Sequence, residues 1–133
     1  KITSGDFKKK ATIVLGTVKG DLHDIGKNIF KTLAEANGFK VCDLGVDVQA
    51  RTFVEAIKNE NAQILGLSGL LTTAFSSMEE VVNHIGEAGL RDRIKIIIGG
   101  APVDENIMKM VGSDAFTRNA SEGIATCKSW VGI

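Results

Sequence analysis

The sequence is short of the features that mark several large classes of protein. It has two cysteines, Cys42 and Cys127, which form no CxxC or other metal-ligand spacing and are interpreted as small buried hydrophobic residues. At 133 residues the chain is long enough to bury a core without the help of disulfides. A reducing, cytoplasmic location is therefore expected.

Charge of one sign and long apolar runs are also missing. The chain has 16 basic and 16 acidic residues and no basic run, so binding to nucleic acid is not expected. The longest apolar stretch, IKIIIGGAPV, is too short to cross a membrane, and no signal-peptide pattern is present. A soluble domain that binds a small molecule or another protein is expected. The start at Lys1 suggests a domain cut from a longer protein, with residues 1–10 as a linker remnant and residues 11–133 as the domain.

Short β-branched runs alternate with amphipathic segments, a pattern typical of a parallel sheet covered by helices on both faces. Strands are predicted at residues 11–18, 40–44, 63–67, 95–98 and 115–116. Helical spacing of apolar residues predicts a first helix with the stripe Ile25, Ile29, Phe30 and Leu33, another with Met78, Val81, Val82 and Ile85, and further helices over 52–58, 104–111 and 121–131. The expected fold is α/β: a flavodoxin-like (Rossmann-like) three-layer sandwich with a five-stranded parallel sheet in the order 2-1-3-4-5.

The unusual residues fall at one edge of this predicted sheet. Ligands of such folds bind beyond the carboxyl ends of the strands, where the chain order reverses between strands 1 and 3. The loops after strands 1, 3, 4 and 5 are KGDLHDIG, SGLLTT, GGAP and TRNAS, all of which are small, polar or glycine-rich. We therefore expect the functional site at this edge.

Asp21 and His23 are the first candidates in these loops. The Asp21 carboxylate can reach one imidazole nitrogen, orient the ring and raise the basicity of the other nitrogen. That arrangement suits a metal ligand with its supporting carboxylate, a catalytic dyad, or an exposed histidine beside a helix cap, for which Asp24 is the better candidate. Zinc is not expected, because it needs three or four protein ligands and no second His or Cys is near. A metal bound here would have to bring its other ligands with it, as a macrocyclic cofactor does.

Several glycines and one serine suggest space for a ligand. Gly26 leaves room at the start of the first helix. The pairs Ser68-Gly69 and Gly99-Gly100 each follow a buried strand and free two neighbouring strands of side-chain bulk. We interpret them as a slot for a flat or elongated ligand, with ordinary tight turns as the alternative. The spacings of a phosphate loop and of a dinucleotide fingerprint are absent.

Together these motifs resemble a known signature. D-x-H-x-x-G (Asp21, His23, Gly26), S-x-L (Ser68, Leu70) and the Gly99-Gly100 pair occur in the order seen in cobalamin-binding domains. GDLHDIGKNI, LGLSGLLTT and IGGAPV look most like the methyl-carrying corrinoid proteins of methyltransferase systems and the cobalamin domain of methionine synthase. The resemblance runs from about residue 11 to the C-terminus.

The resemblance implies a set of cofactor contacts. His23 would be the lower axial ligand of cobalt, with Asp21 as its hydrogen-bond partner and proton reservoir, and no catalytic residue beyond this pair is implied. The dimethylbenzimidazole tail would enter the slot beside Ser68 and Leu70. The other implied contacts with the cofactor are Gly20, Leu22, Asp24, Ile25, Gly26, Thr72, Thr73, Gly99, Gly100, Ala101, Phe116, Thr117, Asn119 and Ala120. Methionine synthase extends the histidine–aspartate relay with a serine at the position of Ala74, so the relay here is expected to stop at Asp21 or to continue through water.

The implied function is that of a methyl carrier. Such a protein holds cobalamin (methylcobalamin or another corrinoid) with its own base off and the histidine on, and moves a methyl group on cobalt between a substrate-specific methyltransferase and a methyl-acceptor methyltransferase. A reductive activase is a further implied partner, while nucleic acid and membrane are not, and catalysis would need the partner subunits. Alternatives are the cobalamin subunit of an adenosylcobalamin mutase, which usually has an SSLAGG-like run where this chain has SGLLTT, a cobalamin sensor or storage module, and a receiver or flavodoxin without cobalt.

Overall fold

The structure, a computed structural model, describes residues 11–100 and 103–133. Both the expected linker at 1–10 and Ala101 lie outside this range. The strands are β1 (Thr12–Thr17), β2 (Lys40–Asp43), β3 (Ile64–Ser68), β4 (Lys95–Gly99) and β5 (Ala115–Thr117). The helices are α1 (Ile25–Ala36), α2 (Ala50–Glu60), α3 (Ala74–Glu87), α4 (Glu105–Val111) and α5 (Ala120–Val131), and an unpredicted 3-10 turn, Arg91–Arg93, precedes β4.

The predicted sheet is confirmed. Its order is β2-β1-β3-β4-β5 and its four pairings are parallel. Because each parallel connection carries a helix, both faces of the sheet are covered and the central strands are apolar. The carboxyl ends of β1 and β3, where the chain order reverses, lie side by side, with Thr17 opposite Ser68.

Two apolar cores lie on the two faces of the sheet. One packs Val14, Leu65 and Ile98 against α2, α3 and α4, and the other packs Leu15, Ile64 and Ile97 against α1 and α5. The alternation follows from the pleat, which turns successive side chains to opposite faces. The side of α1 and α5 is the one that opens at the carboxyl edge.

The apolar stripe predicted on α1 is only partly correct. Phe30 and Ala34 are buried, but Ile25 is 76% exposed and Ile29 is 56% exposed. The buried face of α1 is set by Lys27, Phe30 and Ala34, and helical geometry places Ile25 and Ile29 on the opposite side. The start of α1 therefore presents apolar side chains outward, next to His23.

Candidate functional site

Two rows of in-register residues shape one face of the sheet near its carboxyl edge. Leu15, Gly66 and Ile97 lie side by side on neighbouring strands. One pleat further toward the carboxyl end the row is Thr17, Ser68, Gly99 and Thr117. Since strand side chains alternate between faces, both rows point to the side of α1 and α5. Glycine and serine in the middle strands leave this face hollow.

A cavity of about 470 Å³ occupies the hollow between the sheet, α1 and α5. Its size falls within the range of small-molecule binding pockets. It is lined by Leu15, Leu22, His23, Asp24, Ile25, Gly26, Lys27, Phe30, Gly66, Leu67, Ser68, Leu70, Ile97, Ile98, Gly99, Gly100, Thr117, Arg118, Asn119 and Ala120. The cavity thus reaches from the His23 loop at the edge down to the middle of the strands.

Most of the residues implied as cofactor contacts lie in this lining. Those outside it are Gly20, Asp21, Thr72, Thr73 and Phe116, and Ala101 is outside the described residues. Asp21 is buried beneath the loop, whereas Thr72 and Thr73 are exposed ahead of α3. The Phe116 ring packs on the opposite face of the sheet, against the core of α2 to α4. The structure therefore gathers the candidates from four loops into one cavity and leaves Phe116 on the other side.

Sequence reasoning missed the inner part of the cavity. The lining residues that were not anticipated are Leu15, Lys27, Phe30, Gly66, Leu67, Ile97 and Ile98, whereas Arg118 belongs to the TRNAS loop expected at this edge. For Gly66 a signal was present, because it precedes Ser68 by two residues and must share its face of the strand. The alternation in ILGLS thus marks a column of small residues that leads from the edge toward the core.

Hydrogen bonds hold His23 at every polar group except Nε2. Its ring Nδ1 lies 2.6 Å from Asp21 Oδ1, and its backbone N–H donates to the same oxygen at 3.0 Å. Its carbonyl oxygen accepts a hydrogen bond from Thr17 Oγ1 at 2.8 Å. Nε2 has no partner among residues 11–100 and 103–133, and the side chain is 50% exposed. His23 thus lines the cavity with one ring nitrogen that has no hydrogen-bond partner in this part of the chain.

The carboxylate of Asp21 is fully buried and accepts from two loops at once. Oδ2 accepts the backbone N–H groups of Leu70, at 2.7 Å, and of Leu71, at 3.0 Å. Burial raises the pKa of this carboxyl, but the hydrogen bonds from Leu71, His23 and Leu70 outweigh that effect and hold the pKa well below its usual range. In the folded chain these hydrogen bonds favour the ionised form of Asp21.

The relay beyond Asp21 ends in the backbone. Ala74 is buried beside Gly69, and it supplies no polar atom to the carboxylate. The Oδ2 oxygen of Asp21 accepts the backbone amides of Leu70 and Leu71. Because these amides do not titrate, the hydrogen-bonded chain has no ionisable group beyond Asp21.

The prediction that Asp24 caps α1 is correct for its position but not for its hydrogen bond. Asp24 is the N-cap residue, yet its side chain accepts no cap hydrogen bond. Its backbone, at φ −131° and ψ −9°, is not in the extended conformation that normally aims a cap side chain at the first turn. Asp24 instead lines the cavity.

A buried ion pair stiffens the cavity wall. Lys27, whose side chain is 3% exposed, donates from Nζ to both carboxylate oxygens of Asp43, at 2.8 and 2.9 Å, and to Asn28 Oδ1 at 2.8 Å. Although burial raises the pKa of Asp43, the bonds from Lys27 and Gly45 bring it below its usual value. All three ammonium protons are used, so Lys27 joins α1 to β2 rather than acting as a free cation.

The donor set matches a metal that arrives with its own ligands. No group of three or more His, Cys, Asp or Glu able to hold a metal ion occurs in the described part of the chain. What the site offers is a single free imidazole nitrogen beside a deep cavity with apolar side chains at its mouth, Leu22, Ile25 and Leu70. A macrocyclic metal complex fits this combination, whereas a bare ion does not.

Comparison with known proteins decides the family. The B12 binding domain family matches residues 11–122. The chain belongs to the B12-binding family. Its cofactor is cobalamin or a related corrinoid, as the motifs implied, and the fit of the site to a macrocyclic metal complex agrees with this assignment.

Relatives of this B12-binding domain include named corrinoid proteins. "Dimethylamine corrinoid protein 2" of Methanosarcina mazei is 45% identical over 121 residues, which cover 91% of this chain and 56% of the relative. A crystal structure of a cobalamin-binding protein from Desulfitobacterium hafniense DCB-2 matches with a TM-score of 0.90 and 54% identity, over 92% of this chain and 60% of that one. The methanol:cobalamin methyltransferase complex MtaBC of Methanosarcina barkeri matches with a TM-score of 0.86 and 30% identity, over 92% of this chain and 46% of that one. The B12-binding domain thus spans about half the length of these relatives.

More distant structures share the architecture alone. A response regulator from Staphylococcus aureus matches with a TM-score of 0.64 and 16% identity. That likeness shows the flavodoxin-like fold of this B12-binding domain and nothing of its chemistry. Within residues 11–100 and 103–133, none of the helices has the length and apolar character needed to cross a membrane.

Proposed function

We propose that this chain is the corrinoid-binding domain of a methyl-carrier protein. It holds cobalamin with the dimethylbenzimidazole base displaced from cobalt and with His23 in its place. The observation that carries the proposal is the free Nε2 of His23 beside the cavity, since every other polar group of this residue is already bound within the chain. The relatives named as methylamine corrinoid proteins, which cover about nine tenths of this chain, support the same function.

Asp21 sets the ligand atom of His23. Because the carboxylate stays ionised, Nδ1 carries the proton and donates it to Oδ1 at 2.6 Å. Nε2 then holds the free lone pair, which is the form that binds metals. The buried charge of Asp21 also makes the imidazole a stronger donor.

The rest of the cavity is suited to the nucleotide tail. Gly66, Ser68 and Gly99 lie on one face of β3 and β4, so a flat group can lie against the sheet between α1 and α5. The walls supplied by Leu15, Phe30 and Ile97 are apolar, as an aromatic base requires. The displaced dimethylbenzimidazole is assigned to this inner part and the corrin ring to the mouth.

The bound corrinoid supplies a cobalt centre that accepts a methyl group from one molecule and gives it to another. The chain's own residues bind and orient the cofactor. Turnover therefore requires partners: a substrate-specific methyltransferase, a methyl-acceptor methyltransferase and a reductive activase. A reducing cytoplasm suits this assignment, since both Cys42 and Cys127 are free thiols.

The test is transfer of a labelled methyl group. The domain is loaded with cobalamin, reduced, and mixed with one methyl donor and its purified methyltransferase: monomethylamine, dimethylamine, trimethylamine or methanol. We expect label on the protein-bound corrinoid with one of these pairs, and less label on the His23→Ala variant loaded to the same level, because the methylated cobalt would lack the imidazole that stabilises it. Tight binding of cobalamin without transfer from any of the four pairs would contradict the proposed function.

A further inference from the structure

The backbone of His23 is fixed by a residue that the motifs do not include. Thr17 Oγ1 donates to the His23 carbonyl oxygen at 2.8 Å, six residues along the chain. Asp21 holds the other side of the same residue, at its N–H and at Nδ1. His23 is thus held by hydrogen bonds with two residues, of which Thr17 lies on the sheet and Asp21 in the loop.

Burial and backbone hydrogen bonds fix the position of Thr17. It is the last residue of β1, fully buried, and lies in the row next to Ser68. Its N–H donates to Gly45 O at 2.9 Å, and its carbonyl oxygen accepts from Val48 N at 3.0 Å. Because β-branching restricts the side-chain rotamers of threonine, a fixed backbone at Thr17 also limits the directions open to Oγ1.

The segment after β2 forms further hydrogen bonds with the loop that carries His23. Asp47 accepts the Gly20 N–H on Oδ1 at 2.8 Å and donates its own N–H to Asp21 O at 3.0 Å. Its backbone is left-handed, with φ 54°, a conformation that aspartate tolerates better than most residues. We call residues 45–48 the brace; it forms hydrogen bonds with Thr17, Gly20 and Asp21, which lie two to six positions before His23.

We propose that Thr17 and Asp47 are positioning residues that fix the direction of His23 Nε2 for axial ligation of the corrinoid. The proposal rests on the proposed function, because it takes His23 as the ligand. A ligand held in place loses little freedom on binding, so ligation is stronger than it would be from a mobile loop. Removing either contact should weaken ligation more than it weakens capture of the cofactor, which the cavity provides.

The first test uses Thr17→Val, which removes the hydroxyl and keeps the branched shape. Thr17→Ser restores the hydroxyl, and Thr12→Val makes the same exchange at the other end of β1. Each variant is loaded with cobalamin, and its visible spectrum is followed on acidification to the midpoint at which histidine ligation is lost. We expect ligation to weaken about fivefold in Thr17→Val, a typical effect of one hydrogen bond, which raises the midpoint by about 0.7 pH unit. Thr17→Ser and Thr12→Val should keep the wild-type midpoint.

Asp47 gives a second, independent measurement. Asp47→Gly keeps the left-handed backbone and removes the carboxylate, while Asp47→Asn keeps an acceptor oxygen. We expect a raised midpoint in the first variant and little change in the second. Wild-type midpoints in both Thr17→Val and Asp47→Gly would overturn the proposal. A wild-type protein that binds cobalamin but shows no histidine-ligated spectrum would instead contradict the proposed function, so the two failures are distinguishable.

Discussion

The buried carboxylate of Asp21 accepts the backbone N–H of Leu70 at 2.7 Å and so ties the loop after β1 to the loop after β3. Asp21 belongs to the D-x-H-x-x-G motif and Leu70 to the S-x-L motif. The two motifs therefore meet at one carboxylate oxygen, although these residues are 49 positions apart in the sequence. The same carboxylate orients the imidazole of His23. Ligand orientation and the joining of the two loops depend on a single charged side chain.

Asp21→Asn should destabilise the fold as well as the site. An amide offers one acceptor oxygen where the carboxylate serves four donors, so we expect a loss of roughly 2–4 kcal/mol in the free energy of unfolding near neutral pH. The folded-state pKa of Asp21 is depressed, so its contribution is present above the unfolded pKa of about 4 and is lost as the pH falls below it. Urea unfolding should therefore show a gap between variant and wild type that narrows on acidification below that pH.

The control for this prediction is Asp92→Asn, at an exposed position of the 3-10 turn. It should leave the unfolding curve nearly unchanged at every pH. An Asp21→Asn protein as stable as the Asp92→Asn protein would show that the four contacts of Asp21 carry no net stability.

Lys27→Met should lower the free energy of unfolding more than any other lysine substitution near the cavity. It leaves the mostly buried Asp43 carboxylate without its closest cation, and breaking a buried pair in this way costs about 3–5 kcal/mol. Lys31→Met is the matched control, since Lys31 Nζ lies 3.9 Å from Asp43 and is more exposed. We expect its effect to stay below about 1 kcal/mol. Equal midpoints of urea unfolding for the two variants would contradict the interpretation.

Gly99→Val should close the inner cavity to the nucleotide tail. A Cβ at Gly99 meets Thr117 at ordinary contact distance, 3.6 Å, so the strand can accept a side chain that then projects into the hollow. We expect cobalamin to bind at least tenfold more weakly, the cost of losing a contact of roughly 1.4 kcal/mol or more, with a smaller effect for Gly99→Ala. Binding of cobinamide, which has no nucleotide tail, serves as the control and should be unchanged. Equal losses for both ligands would argue against the tail occupying this cavity.

Gly100→Ala should disrupt the edge of the sheet. Gly100 has φ 146°, and a Cβ there would overlap the carbonyl oxygen of Gly69 in the neighbouring loop. We expect a loss of more than about 3 kcal/mol, because neither backbone can shift without breaking the contacts around Asp21. Gly89→Ala, with φ 75° but open space around its Cβ, should lose about 1–2 kcal/mol. Thermal unfolding of the two variants compares a clash with conformational strain alone.

The order of the elements and the edge that carries the site could be predicted from the sequence. Strand and helix periodicities are local, and the rule for parallel sheets places the loops, so the contact of Asp21 with His23 followed from a spacing of two residues. The cavity floor at Gly66 required the face of each strand to be followed inward from Ser68. The outward position of Ile29 could not be read from its spacing, because a helical stripe does not say which residues lack a covering partner.

Other contacts of the site leave no pattern in the sequence at all. The hydroxyl of Thr17 reaches the His23 carbonyl across a turn, and Lys27 meets Asp43 from a different element, 16 positions away. Such contacts depend on the register of β1 with β2 and on the angle at which α1 crosses them. They appear only once the chain is folded.

The nitrogen that binds cobalt tests the central claim most directly. The wild-type domain is produced with ¹⁵N-labelled histidine, loaded with unlabelled cobalamin and reduced to the cobalt(II) form for electron paramagnetic resonance. We expect the axial splitting to change from the triplet of ¹⁴N to the doublet of ¹⁵N, and to disappear in His23→Ala. A triplet that persists with labelled histidine would show that the cofactor's own base remains on cobalt, and would contradict the assignment of His23 as the ligand.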